Sequence, residues 1–383
     1  MKMPADVIRE EIRKTGVISF ARFMQLALYC PETGYYETKK DIVGGRGDFI
    51  TSVSAGSLFG ELLAWQFARW LGELPPAAGR PRIVEAGAHD GRLAADVLNW
   101  LQLNRRELFD RLEYVIVEPS PGRRSWQAET LARFAGRVAW VPGLSELKDR
   151  PPAPALIFSN ELLDAFPVHR HGWDAAQQKW IEWGVALDGG QFCWRKIPDA
   201  AAGCREFCPP ALERVLPDGY IIETCPAAEL WWREAAAVLI LGKLLAIDYG
   251  FAADEIFSPA RTRGTLRAYH RHQVSDDLLA QPGGQDLTAH VNFAAIQAAG
   301  EAADLRTELF CPQPRFLIRI LQQAVADNHF AQLDARQVRQ FQTLTHPEHL
   351  GRAFRVLVQS RPVNHSSASL AGFNAPGARP WHR

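Results

Sequence analysis

Several things are scarce in this chain, and each scarcity excludes a class of protein. The six cysteines, Cys30, Cys193, Cys204, Cys208, Cys225 and Cys311, form no CxxC pair, and Cys204 with Cys208 has no histidine at zinc spacing. They read as reduced thiols, not as a disulfide or zinc framework. His169 with His171 and His270 with His272 alternate as a strand could present them. Neither pair carries a third ligand, so no metal is expected. No apolar run approaches the roughly 20 residues of a membrane helix, so no membrane span is expected. Surplus charge is missing as well, with 43 basic and 43 acidic residues. A chain without net charge lacks the electrostatic footprint of a nucleic-acid binder. The opening MKMPADVIREEIRKTG mixes acids with bases and has no apolar segment, so it reads as neither signal nor transit peptide. Cytoplasmic localisation is the expectation, and there is no internal repeat.

What remains is a globular α/β pattern: 383 residues, 47% hydrophobic, enough for a full domain with insertions. Its centre is RPRIVEAGAHDGRLAADVLNWLQL, residues 80–103. Arg82 to Ala86 is a buried-strand run, and from Arg92 the apolar residues Leu93, Val97, Leu98 and Leu101 recur at helical spacing. Gly87 and Gly91 therefore bracket a strand-to-helix turn, which opens a ligand crevice at the carboxyl end of the strand. A dinucleotide fold would place pyrophosphate there. Glu85 and Asp90 would repel it, whereas S-adenosylmethionine, with a sulfonium, an ammonium and no phosphate, suits acidic surroundings. Asp90 has a second reading as a stabiliser of the helix start.

About one βα unit later, YVIVE, Tyr114 to Glu118, is a second strand ending in an acid. A carboxylate at that position can take both ribose hydroxyls of an adenosine. That supports a nucleoside without separating NAD from S-adenosylmethionine. Val138 to Val141 and Ala155 to Phe158 continue the sheet, the latter ending at Asn160, Glu161 and Asp164. Strands closing on polar groups at one end mark a crevice. KLLAIDYG at 243–250, RTELFC at 306–311 and RAFRVLVQS at 352–360 supply further strands, with a helix from Phe316 to Ala326. Short alternating segments from His169 to about Tyr220 read as antiparallel strands inserted beside the main sheet.

Before the centre, residues 4–29 carry two helical patterns, the second capped by Ser19, and Phe59, Leu63, Phe67 and Trp70 form one face of a helix that would dock on the sheet. Between them lies a glycine-rich loop whose Gly47, Asp48, Phe49 and Thr51 are candidates to close over the cofactor. Phe49 either shields the cofactor or anchors the loop to the core. The organisation expected is an N-terminal helical and loop extension, 1–78, and a main domain, 79–361. Insertions fall at about 169–220 and 254–292, and a disordered tail occupies 362–383.

TGYY, GDFITS, LFGELL, VEAGAHDG, VEPS, SNELLDAFPV, IDYG, GTLRAY and PGGQDLTAHVNF occur in that order between about residues 17 and 360. Together they resemble the MidA-type class I S-adenosylmethionine-dependent methyltransferases, whose mitochondrial members are arginine methyltransferases of respiratory complex I assembly. The resemblance implies a Rossmann-like sheet whose last strand inserts antiparallel beside the fifth. It places Ser120 of VEPS with Glu118 at the cofactor, and Asn160 at cofactor or substrate. It also implies a protein substrate, a complex I subunit or another arginine-bearing protein. Glu161 and Asp164 are the candidates to grip a guanidinium, since a charged planar group needs carboxylates on its donors. A small-molecule methyltransferase and a non-catalytic assembly factor that keeps the cofactor fold remain alternatives. The roles of Arg267, Tyr269 and His290, in the second insertion, stay open.

Overall fold

The computed structural model describes residues 2–38, 51–75, 79–197, 208, 210–270, 273–351 and 353–362. Gly47, Asp48, Phe49, Cys204, His272 and the tail from 363 lie outside these described residues. The chain opens with α1 (Pro4–Thr15), β1 (Ile18–Ser19), α2 (Phe20–Tyr29), α3 (Tyr35–Thr38) and α4 (Leu58–Glu73). Ser19 caps α2 as its sequence position predicts, its hydroxyl accepting from the Arg22 amide at 3.1 Å. The alternating strands and helices then begin with β2 (Arg82–Ala86), α5 (Arg92–Asn104), α6 (Arg106–Arg111), β3 (Glu113–Val117) and α7 (Pro121–Thr130). β4 (Val138–Val141) and β5 (Pro154–Asn160) complete the first half.

An excursion follows through β6 (His169–Asp174), β7 (Lys179–Asp188), β8 (Gln191–Ile197), α8 (Pro210–Glu213) and β9 (Ile221–Thr224). The chain returns by α9 (Pro226–Val238) and β10 (Leu241–Phe251), then forms β11 (Arg267–His270), β12 (Gln273–Ser275), β13 (Asp286–Thr288) and β14 (Val291–Asn292). It closes with α10 (Phe293–Glu301), β15 (Arg306–Pro312), α11 (Gln313–Ala326), α12 (Ala335–Thr345) and β16 (Phe354–Ser360). α12, begun by the Asp334 capping box, has no counterpart in the sequence expectation. Among the described residues no helix is long and apolar enough to cross a membrane.

The main sheet runs β15-β16-β10-β5-β2-β3-β4. β2 pairs in parallel with β3 on one side and β5 on the other, so the direction of winding reverses there. That reversal leaves a crevice outside the carboxyl ends of the two strands. β16 is antiparallel to both β10 and β15, as the resemblance implied. One face of the sheet is covered by α4, α5 and α11, with Phe59, Phe67, Leu101, Phe158 and Leu317 fully buried. The other is covered by α9 and α10 around Trp232 and Phe293. The inner strands β2, β3, β5 and β16 are buried on both faces, which is why they read as near-continuous apolar runs.

The first insertion is antiparallel, as expected, and β6 to β9 form a sheet of their own, β1-β7-β6-β9 with β8 on β7. β1, from the chain's start, supplies one edge, pairing Ile18 with Val185. Both sides of β10 are already paired, by β5 and β16, so the insertion finds no free edge in the middle of the main sheet. α1, α2 and this second sheet share a core of their own, together with Leu266, Ala268 and Leu287 from the later insertion.

Candidate active site

The crevice is built first by the turn after β2. Gly87 (φ 78°) and Gly91 (φ 87°) both adopt left-handed backbone, and a Cβ on Gly87 would lie 3.0 Å from the Leu162 side chain. Glycine lets this turn pass close to the end of the neighbouring strand. Asp90 Oδ1 accepts the Arg92 amide at 3.2 Å, and Asp90 Oδ2 lies 2.7 Å from the Arg92 guanidinium. Burial opposes ionisation of Asp90, but His89 and Arg92 together hold its carboxyl below the ordinary value. Glu85 is buried beneath the turn and accepts the Tyr114 hydroxyl at 2.6 Å. Its burial pushes the carboxyl up to about 7 against the pull of that hydrogen bond, with Asp90 adding to the rise.

Glu118 follows β3 and is fully engaged by protein donors. Its Oε1 accepts the Ser120 amide and the Arg123 guanidinium, each at 2.9 Å, and its Oε2 accepts Gln127 Nε2 at 3.1 Å. Gln127 also donates to the His89 carbonyl at 3.0 Å, which ties the glycine turn to the end of β3.

At the end of β5 the geometry is strained. Glu161 has φ 53°, a left-handed conformation that costs about 1–3 kcal/mol in a residue with a side chain and concentrates at functional sites. Its Oε1 accepts the Ser52 amide at 3.2 Å and Asn160 Nδ2 at 3.1 Å. Its Oε2 has no protein partner among the described residues. Beneath it, the fully buried Asp248 accepts the amides of Leu162, Leu163 and Asp164 through one oxygen, at 3.1, 2.8 and 3.4 Å. That oxygen folds the short turn Leu163–Ala165 and so aims Asp164. The result is a crowd of like charges. Burial, then the Asp248 carboxylate, pushes Glu161 up to about 8. Burial, Asp248, Glu161 and Asp286 hold Asp164 well above the carboxylate range. Burial raises Asp248 to about 7 despite its amide donors.

One cavity collects these groups. Glu85, Gly87, Asn160, Glu161, Asp164 and Thr51 of the expected residues line it. Gly91 caps α5 behind the turn, and Glu118 and Ser120 lie outside the lining. Arg267, Tyr269 and His290 are in the cavity wall. His290 stacks on Phe251 at 4.7 Å and 9°, and burial with nearby arginines lowers it to about 4, which keeps it neutral.

Tyr36, Tyr249 and Asp286 also line the cavity, and sequence reasoning missed all three as site residues. The Tyr36 hydroxyl donates to Asp286 Oδ1 at 2.8 Å, joining TGYY to PGGQDLTAHVNF, two motifs whose co-occurrence was their only signal. Among the described residues the lining holds five carboxylates, Glu85, Asp90, Glu161, Asp164 and Asp286, against two arginines. Such a pocket favours a cation and disfavours phosphate. Asn160 Oδ1 is buried without a partner among the described residues, an acceptor left over for a ligand donor. An acidic crevice at the switch point with that spare acceptor fits the ammonium and sulfonium of S-adenosylmethionine.

The fold and the pocket define a class I S-adenosylmethionine-dependent methyltransferase. A family described as "putative S-adenosyl-L-methionine-dependent methyltransferase" matches residues 62–311, and the chain belongs to that family. It is similar to the mouse "Protein arginine methyltransferase NDUFAF7, mitochondrial", 30% identical over 321 residues, covering 77% of this chain and 69% of that protein. The human protein of that name is 29% identical over 329 residues, covering 77% and 68%. A Burkholderia thailandensis protein solved with S-adenosyl-homocysteine bound is 34% identical, with a TM-score of 0.81 over 94% of this chain and 92% of that one.

Proposed function

We propose that the methyl acceptor is the guanidinium of an arginine in a protein substrate. The observation that carries this reading is the gathering of Glu161, Asp164 and Asp286, from two distant parts of the chain, on one cavity that also holds the glycine turn. A guanidinium presents several donors in one plane and carries a fixed positive charge, so it can engage carboxylates from more than one side. The names of the mouse and human relatives point the same way, and the family resemblance makes a respiratory complex I subunit a candidate partner.

Bound S-adenosylmethionine would supply the methyl group carried on its sulfonium sulfur, with neutral S-adenosylhomocysteine as the leaving group. The chain's task is alignment, charge and exclusion of water. Asn160 Oδ1 and Glu85 would receive the positive end of the cofactor, and Glu118 its ribose, with Ser120 and the two turn glycines shaping that end. Thr51, at the cavity's rim, begins the turn that donates the Ser52 amide to Glu161. With Oε1 anchored by Ser52 and Asn160, Glu161 presents Oε2 to the acceptor. A methylated guanidinium must give up one proton, and Glu161, raised to about 8 in the empty pocket and ionised once a cation lies beside it, can take that proton at Oε2. Asp164 and Asp286 hold the remaining donors. His290, neutral, adds no repulsion against the incoming cation.

The test is transfer of label from methyl-labelled S-adenosylmethionine to arginine-bearing peptides and to the same peptides with lysine in place of arginine. Label on arginine alone is expected. Label on lysine, or on small amines but no peptide, would replace this reading with another acceptor class.

A further inference from the structure

The TGYY motif contributes more than a pocket wall. Tyr36 and Glu37 are consecutive in α3, yet their side chains reach opposite parts of the site. Tyr36 donates to Asp286 at 2.8 Å at the acceptor end. Glu37 accepts the Ser120 hydroxyl at 2.5 Å and lies 3.5 Å from the Arg123 guanidinium, beside Glu118. We propose that Tyr36 and Glu37 are positioning residues that tie occupancy of the nucleoside end of the pocket to the arrangement of the acceptor end. This rests on the assignment of Glu118 to the cofactor ribose.

The argument starts from the lone pairs of Glu118. A carboxylate offers about four acceptor sites, and Ser120, Arg123 and Gln127 already use both oxygens. A ribose diol asks for two of those sites. Of the three donors, Arg123 is the one with a second carboxylate at hand, since Glu37 sits 3.5 Å from the same guanidinium nitrogen that is 2.9 Å from Glu118. Moving Arg123 from Glu118 to Glu37 frees Glu118 and keeps the half-buried guanidinium paired, which avoids stranding a charge.

α3 is held so that such a shift is felt next door. Tyr35 is fully buried and meets the Tyr36 ring edge-on at 5.3 Å, and Tyr36 in turn lies 5.6 Å from Tyr29. Tyr29 bonds to the Ala165 carbonyl at 2.9 Å, one residue past Asp164. Gly34 enters α3 with its backbone so close to Leu28 and Cys30 that a Cβ would come within 2.6 Å of both, leaving no slack upstream. A movement of Glu37 therefore passes to Tyr36, and through its hydroxyl to Asp286.

Calorimetry on the full chain tests this with two probes, S-adenosylhomocysteine and L-argininamide. Coupling between sites is reciprocal, so saturating argininamide should tighten S-adenosylhomocysteine at least about fivefold in the wild type. Tyr36→Phe removes one hydroxyl and should bring that factor to within about twofold of one, with S-adenosylhomocysteine affinity alone changed less than twofold. Glu37→Gln, which leaves Arg123 without its second carboxylate, should weaken S-adenosylhomocysteine itself about five- to twentyfold. Wild-type coupling retained in Tyr36→Phe overturns the proposal, as does a wild type that binds S-adenosylhomocysteine with no coupling. A wild type that does not bind S-adenosylhomocysteine at all overturns the Glu118 assignment together with it.

Discussion

The two ends of the pocket treat their carboxylates in opposite ways. At the end proposed for the nucleoside each acid has protein partners: Tyr114 for Glu85, Arg92 for Asp90, and, just outside the cavity lining, Ser120, Arg123 and Gln127 for Glu118. At the acceptor end Glu161, Asp164 and Asp248 push on one another, and Glu161 keeps one oxygen unpaired among the described residues. The first end is nearly complete before anything binds. The second holds carboxyls whose ionisation is resisted until a cation or a proton neutralises them, an arrangement that gives up stability for affinity.

Three substitutions or conditions break or sharpen that contrast. The largest effect should come from Glu161→Gln, which keeps the shape and removes the charge. Turnover should fall at least about 100-fold, while S-adenosylhomocysteine affinity by calorimetry stays within about twofold. Collapse of cofactor affinity in this variant would erase the division between the ends. Glu118→Ala should do the reverse, weakening S-adenosylhomocysteine about 10- to 100-fold with the far-ultraviolet circular dichroism unchanged.

The smallest effect is on stability without ligand. Glu161 has its carboxyl raised from 4.5 to about 8, so its protonated form is favoured by folding. Its stabilising contribution is complete below pH 4.5 and is lost as pH rises through about 8. The melting temperature of the wild type should therefore fall between pH 5 and 8.5. Glu161→Gln should melt about 2–4 °C higher than wild type at pH 8.5 and level with it at pH 5. Equal melting temperatures at both pH values would mean that the acceptor end does not resist ionisation.

Much of the nucleoside end was legible in the sequence because it is local. Gly87, Gly91 and Glu85 sit within one strand–turn–helix, and the strand at 138–141 appears with the bounds its apolar run gave. The acceptor end was legible only where it touched that local grammar, at Asn160, Glu161 and Asp164 after β5. Asp286 and Tyr36 meet across 250 residues, a pairing that no periodicity signals. The strand expected over 243–250 runs from Leu241 to Phe251, and Asp248 within it serves to fold a turn on the neighbouring strand, a role no strand pattern signals. The first insertion was legible as antiparallel strands, but the β1 edge that completes their sheet was missed for a related reason. Alternation tells which residues face inward but not which edge a strand will find, and the edge it found was β1 at the far end of the chain.

That wide separation in sequence has a bearing on biosynthesis. Tyr36 leaves the ribosome 250 residues ahead of Asp286, an interval of about 10–50 s at ordinary elongation rates. Until β7 emerges α1 and α2 lack every later strand that shares their core, and Leu287 joins it only at the end of that interval, so the nascent chain must keep Phe20, Phe23 and Met24 from premature association. A polypeptide released early could hold much of the nucleotide fold and still have nowhere to seat a side chain for modification.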